Sequence, residues 1–108
     1  EARQIDAAKR AGAKVVELHT GAYANAWGDP AKTSEQLERL ASAAEYAHSV
    51  SMTVNSGHGI NYSNIAPLLE AADFNELNIG HSIMCRALVV GIGQAVREMK
   101  ELILKYGK

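Results

Sequence analysis

The sequence predicts an α/β fold: a parallel (β/α) barrel of TIM type, with this chain as its C-terminal part, about three βα units plus a preceding helix. Three observations lead there. First, three apolar segments each run into a short polar cluster that contains glycine: Val15-Val16-Glu17-Leu18-His19-Thr20-Gly21, Met52-Thr53-Val54-Asn55-Ser56-Gly57-His58-Gly59 and Leu77-Asn78-Ile79-Gly80-His81. Each reads as a β-strand with ionisable side chains at its C-terminal end, where parallel α/β folds keep their chemistry. Second, helical pattern fills the stretches between, and this alternation argues for a parallel sheet with helices packed outside it. Third, three strands leave two open sheet edges, which parallel sheets normally cover. A full barrel takes about 250 residues, so residues 1–108 are read as a single partial barrel domain.

Each element has its own justification. Glu1 to Ala11 reads as a helix with Ile5 and Ala8 inward, and Gly12 suits its C′ position, where a positive φ costs glycine little. Ala13 to His19 follows as a strand whose adjacent Val15 and Val16 suggest burial on both faces. Thr20 to Lys32, with Gly21, Gly28 and the turn signal Asp29-Pro30, reads as a long covering or functional loop. Tyr23 and Trp27 in it suit packing against the chain's own barrel better than covering a ligand. Thr33-Ser34-Glu35-Gln36 fits a capping box for a helix ending near Ser49, with Leu37, Leu40, Ala41, Ala44 and Ala47 on one face.

Ser51 to Ser56 is the second strand, and Gly57-His58-Gly59 a sharp turn. Tyr62 to Glu70 reads as a short helix capped by Asn61, and Asn75 to Ile79 as the third strand. Ser82 to Leu88 gives a short helix. A longer one runs from about Gly91 to Tyr106, with an apolar stripe of Ile92, Val96, Met99, Ile103 and Tyr106.

Composition narrows the function. The chain is 47% hydrophobic and 21% charged, with a net charge of −1 and no basic block, which argues against nucleic-acid binding. No apolar run approaches the ~18 residues a membrane helix needs, so neither a membrane nor a nucleic acid is an expected partner. Glu1-Ala2-Arg3-Gln4 is not a signal peptide, and a chain that opens without Met inside a helical pattern reads as a processed or excised piece. The single cysteine, Cys85, rules out an internal disulfide; it reads as a buried structural thiol in a reducing compartment. No His, Cys, Asp and Glu spacing resembles a metal site, and no dinucleotide or Walker motif is present.

The strand-end clusters hold the candidate residues. In Asn78-Ile79-Gly80-His81-Ser82 a strand ends, glycine permits close approach, and a helix begins. Free amides at a helix N-terminus bind anions, phosphate above all. The short helix that follows matches the extra helix of barrel phosphate sites. Gly57-His58-Gly59 sets an imidazole between two glycines, suited either to general acid–base work or to an exposed turn. Glu17 lies inside an apolar strand, where a carboxylate is expensive unless paired or used. It reads as a charge stabiliser or base, or as half of an ion pair with a partner outside this chain. His19 shares its face and would orient Glu17 or fill space. His48, at a helix C-terminus, reads as surface. Arg86 reaches either a phosphate or a carboxylate, the structural pairing carrying more weight.

At these clusters the chain resembles the C-terminal part of the pyridoxine 5′-phosphate synthase family. The resemblance is carried by Val16-Glu17-Leu18-His19-Thr20-Gly21 with Tyr23-Ala24, by Val54-Asn55-Ser56-Gly57-His58-Gly59-Ile60, and by Glu76-Leu77-Asn78-Ile79-Gly80-His81-Ser82-Ile83, and extends through Arg86-Ala87 and the last helix. The resemblance implies a TIM barrel that condenses 3-amino-2-oxopropyl phosphate with 1-deoxy-D-xylulose 5-phosphate. The products are pyridoxine 5′-phosphate, phosphate and water, in vitamin B6 biosynthesis. It also implies a cytoplasmic higher homo-oligomer without metal or organic cofactor. By position, Glu17 matches the glutamate that stabilises cationic transition states, and His58 the proton donor. Gly59, Gly80 and His81 match the residues that bind the aminoketone phosphate. The family's other catalytic histidine and glutamate lie in its N-terminal half, so the lone chain is expected to be inactive and to need a complementary half-barrel. Two other readings stay open. One is a different phosphate-binding barrel, an aldolase or isomerase. The other is a non-catalytic half-barrel that self-associates through its edges.

Overall fold

The structure, a computed structural model, describes residues 1–108. Its elements are α1 (Ala2–Arg10), β1 (Val15–His19), α2 (Gly21–Ala26), α3 (Pro30–Ser49), β2 (Thr53–Gly57), α4 (Ile65–Ala71), β3 (Glu76–Asn78), α5 (His81–Val90) and α6 (Ile92–Tyr106). The strands form one parallel sheet in the order β1-β2-β3. The register sets Glu17 beside Asn55 and Glu76, and one row further on His19 beside Gly57 and Asn78. The α/β alternation and the parallel sheet read from the sequence are present.

Strand side chains alternate between faces, and here the faces differ. Val16, Leu18, Val54, Ser56 and Leu77 point toward the helices, while Val15, Glu17 and His19 are exposed on the other side. Val15 is 48% exposed, which corrects the expectation of burial on both faces: within this chain helices cover one face only. On that face the core has two parts. Tyr23, Leu40, Ile60, Ile65, Leu68, Leu69 and Met99 form one. Ile5, Ala44, Ala47, Met52, Val54 and Ala72 form the other. The alanines of α3 let its backbone lie close to β1 and β2.

Several boundaries differ from expectation for local reasons. The 20–32 segment is not all loop. Residues Gly21–Ala26 form α2, which buries Tyr23 and lets its hydroxyl donate to the carbonyl of Asn64 at 2.5 Å. Asp29-Pro30 is a helix start rather than a turn: Asp29 Oδ1 accepts from the Lys32 amide at 3.2 Å, with Pro30 at N1. Thr33, expected as the cap, instead donates its hydroxyl to the Ala26 carbonyl at 2.8 Å. Asn61 closes a turn by accepting from the amides of Ser63 and Asn64, and α4 begins later, with Asn64 as N-cap.

In α6 the inward face is Ala95 and Met99, with Ile103 and Tyr106 partly buried; Ile92 and Val96 are exposed. The face turns toward Ala95 because a small side chain lets the Tyr62 hydroxyl reach the Ala95 carbonyl at 2.8 Å. Cys85, expected to be buried, is exposed, with Sγ 3.5 Å from His81 Nε2. Helix α5 lies at the edge of the core and buries no residue fully.

Helices α1 and α3 end in the same way. After α1 the amide of Gly12 donates to Lys9 and that of Ala13 to Ala8; after α3 the amide of Ser51 donates to His48 and that of Met52 to Ala47. Both are Schellman motifs with the C′ residue at positive φ, +93° for Gly12 and +63° for Ser51. A side chain in that region costs about 1 kcal/mol. Ser51→Gly is therefore expected to stabilise the chain by about that amount, read as a higher urea midpoint. Gly12→Ala is expected to destabilise it comparably.

One side chain in the core lacks a partner: the Ser56 hydroxyl is fully buried and makes no hydrogen bond. A buried hydroxyl left unpaired costs about 1–3 kcal/mol. Ser56→Ala is expected to leave stability unchanged or raise it, the reverse of the usual sign for a substitution in the core. Differential calorimetry reads the sign directly.

Candidate active site

The C-terminal ends of β1, β2 and β3 open onto one cavity of about 660 Å³, lined by Glu17, His19, His58, Gly59, Gly80 and His81 among others. All five residues proposed from the sequence thus line one space, although 64 positions separate Glu17 from His81 in the chain. The parallel register explains the convergence, since all three strands end on the same side.

Glu17 is held by Asn78, whose side-chain amide donates to its carboxylate across β2. The residue between them is Gly57. A Cβ there would sit 3.0 Å from Glu17 Oε1 and 3.1 Å from Asn78 Cβ. Gly57 therefore serves by vacating space, not by an unusual backbone angle. The positive φ values fall instead on His58 (+89°) and Gly59 (+75°). Gly59 faces Ala24 of α2, where a Cβ would approach the Ala24 Cβ to 2.4 Å. Asn78 was not singled out in the sequence; its role depends on the pairing of β3 with β2.

The loop that carries His58 is tied down residue by residue. The His58 carbonyl accepts from the Thr20 hydroxyl at 2.6 Å, the Gly59 carbonyl from the Asn64 amide at 3.0 Å, and the Ile60 carbonyl from the Ser82 hydroxyl at 2.7 Å. These donors come from the end of β1, the start of α4 and the start of α5. Thr20 and Asn64 are fully buried. The imidazole of His58 itself stacks on that of His19, with ring centroids 4.6 Å apart and planes inclined by 21°.

Helix α5 starts at His81 with Gly80 as N-cap and no capping side chain. Ser82 spends its hydroxyl on Ile60, so the amides of the first turn stay free at the cavity. Backbone N–H groups and the helix dipole there favour an anion. Around Gly80 a built Cβ would meet nothing within 4 Å, so the backbone is open to approach.

Arg86 turns away from this space. Its guanidinium grips Glu98 in a bidentate pair at 2.8 and 3.1 Å. That pair, with Gln94, holds the Glu98 carboxyl down at about 2. Arg86 is thus structural, as weighed from the sequence. His48 is exposed, and Trp27 lies edge-on to the buried Tyr23, 6.0 Å between centroids. Burial pushes the Tyr23 phenol up to about 12, so it stays a hydrogen-bond donor to Asn64 across neutral pH. No group of three or more His, Cys, Asp or Glu side chains is placed to hold a metal ion. No helix is long and apolar enough to cross a membrane.

The site contains, in one cavity, a carboxylate fixed by an amide, an imidazole held by a stack, and free helix-terminal amides. That is a set for binding an anionic group and moving protons beside it. Comparison with known proteins identifies the company the chain keeps: the family model of pyridoxal phosphate biosynthesis protein PdxJ matches residues 1–105. The chain belongs to that family. Among curated relatives, the pyridoxine 5′-phosphate synthase of Idiomarina loihiensis is 54% identical over 102 residues, 94% of this chain and 42% of the relative. The synthase of Akkermansia muciniphila is 53% identical over 104 residues, 95% of this chain and 42% of the relative. That of Coxiella burnetii (strain RSA 493 / Nine Mile phase I) is 52% identical over 103 residues, with the same two shares. The chain thus spans a little over two fifths of the length of these PdxJ-family relatives, and the strand-end clusters described above all lie inside the matched residues.

Proposed function

We propose that this chain is the C-terminal part of a pyridoxine 5′-phosphate synthase barrel, residues 1–108 forming a partial (β/α) domain of TIM type. The assembled barrel condenses 3-amino-2-oxopropyl phosphate with 1-deoxy-D-xylulose 5-phosphate. The observation that carries this reading is the single cavity into which Glu17, His58, Gly59, Gly80 and His81 all open. The free edges of β1 and β3 and the polar, uncovered sheet face support a barrel completed by further strands.

The roles follow from the chemistry. The substrates carry phosphates, and the free amides of the first turn of α5, beside Gly80 and His81, suit the phosphate of the aminoketone. Joining an amine to a ketone passes through imine and enamine stages, with water and phosphate leaving. Each stage needs a placed proton, which His58 supplies as donor. Cationic imine-like states are favoured by a fixed carboxylate, and Glu17 is held by Asn78 for that purpose. The chemistry is acid–base throughout and calls on no metal or organic cofactor. The enzyme is cytoplasmic and homo-oligomeric, and this chain alone does not turn over.

The test uses the polypeptide at the relatives' length with this segment in place, assayed with both substrates. Glu17→Gln preserves size and the Asn78 contact but removes the charge; kcat is expected to fall at least ~100-fold with little change in KM. A kcat within a few-fold of the parent overturns the role of Glu17. In parallel, titrating the 108-residue chain with 3-amino-2-oxopropyl phosphate is expected to shift the amide resonances of Gly59, Gly80 and His81. Shifts elsewhere only count against the phosphate grip.

A further inference from the structure

We infer that His19 is the positioning residue of the proton donor, a ring locked in one tautomer against which His58 is held in plane. The inference rests on the reading of His58 as donor and adds to it a residue that the family resemblance leaves without a role.

The sequence alone pairs His19 with Glu17, since both leave β1 on one face. The structure separates them: the Glu17 carboxylate is engaged by Asn78, and the His19 ring lies on His58. Two features fix His19 itself. The amide of Gly21 donates to its Nδ1 at 3.3 Å. A nitrogen that accepts cannot carry the ring proton, so the neutral ring has its N–H at Nε2. Gly21 also leaves the stack its room: a Cβ there would lie 2.6 Å from His19 Cε1 and 3.1 Å from His58 Cδ2.

His58 needs such support. Its backbone sits at φ +89°, its side chain is exposed, and no side chain or amide of the chain hydrogen-bonds its ring nitrogens. Its carbonyl is anchored by Thr20, but an anchored carbonyl leaves χ1 and χ2 free. The parallel stack with His19 is the contact that selects the ring plane while leaving both nitrogens open to the cavity. A flat partner can do this whether the donor ring carries one proton or two. Proton transfer is acutely sensitive to such geometry, and an error of about 1 Å in placement costs on the order of 100-fold.

The experiment compares His19→Ala, His19→Phe and Gly21→Ala. In the synthase polypeptide of the relatives' length, His19→Ala is expected to lower kcat about 10- to 100-fold with KM essentially unchanged. Phenylalanine keeps a flat ring and is expected to recover most of the loss. Gly21→Ala, whose Cβ would strike both rings and no atom of Glu17, is expected to reproduce His19→Ala. In the 108-residue chain, NMR reports the stack without turnover. The His58 Cδ2 proton is expected to show a ring-current shift that His19→Ala abolishes and His19→Phe keeps, and the His19 nitrogens the Nε2–H pattern. His19→Ala with parental kcat, His19→Phe as impaired as His19→Ala, or an Nδ1–H pattern each overturns the inference. If the synthase reading fails instead, the parent polypeptide makes no pyridoxine 5′-phosphate while the His58 ring-current shift persists.

Discussion

At position 58, glycine is expected to give a more stable protein than alanine, and both are expected to give an inactive synthase. The order is the reverse of that in a helix or strand interior, where glycine is the costlier residue. It follows from the φ of +89° at His58, a conformation that any Cβ resists. Both variants lose the ring and its stack on His19, so their difference isolates the backbone. It is expected to be about 1 kcal/mol in favour of glycine. For a domain of this size that moves Tm by several degrees, easily resolved in thermal unfolding. Activity does not separate the two: with the imidazole proposed as proton donor gone, kcat is expected to drop ~100- to 10,000-fold in both. A His58→Gly protein less stable than His58→Ala would show that the strained conformation is not intrinsic to the folded loop. The one non-glycine residue held in this conformation within the cavity is also the one proposed as proton donor, the kind of place where backbone strain is kept for function.

Leu68→Ala is expected to abolish cooperative folding of the 108-residue chain. Leu68 is fully buried in the core cluster that joins α4 to Tyr23, Leu40, Ile60 and Met99. Truncating a leucine in such a place costs about 2–5 kcal/mol, the lost transfer energy plus the cavity left behind. Total stabilities of single domains are about 5–15 kcal/mol, and this chain starts at a disadvantage. Only 20 of its 108 residues are buried, because one face of the sheet has no cover. Leu104, on the outer side of α6 and 78% exposed, is the control: Leu104→Ala is expected to stay within about 0.5 kcal/mol of the parent. Urea unfolding of the pair checks both. A Leu68→Ala transition of unchanged midpoint and slope would mean that the cluster around α4 contributes little to stability.

The features legible in the sequence were those with a local cause. Strands announced themselves by apolar runs ending in glycine-bearing clusters, and Gly12 marked the end of α1 because a positive φ leaves a residue preference. The candidate site was legible for the same reason: parallel strands deliver their C-terminal ends to one side, so three clusters imply one cavity. What stayed hidden depends on partners far off in the chain. Helix α2 forms in a stretch with no helical periodicity because Tyr23 is buried against the start of α4. Asp29 displaces Thr33 as cap because the chain enters α3 directly from α2. Ile92 and Val96 fit a helical stripe, but Tyr62 turns α6 so that Ala95 faces the core. The bond from Asn78 to Glu17 and the stack of His19 on His58 needed the strand register, which one sequence does not print.

The three carbonyls of His58, Gly59 and Ile60, each bound by a side chain from a different element, have a consequence for how the site meets its substrate. A loop secured at every residue cannot act as a gate; it is a floor. Its ordering entropy is surrendered when the chain folds, before any substrate arrives, and so does not weaken binding. The motion that admits and releases small molecules must then belong to segments that lack such ties. Backbone order parameters should find 58–60 among the most rigid parts of the cavity wall.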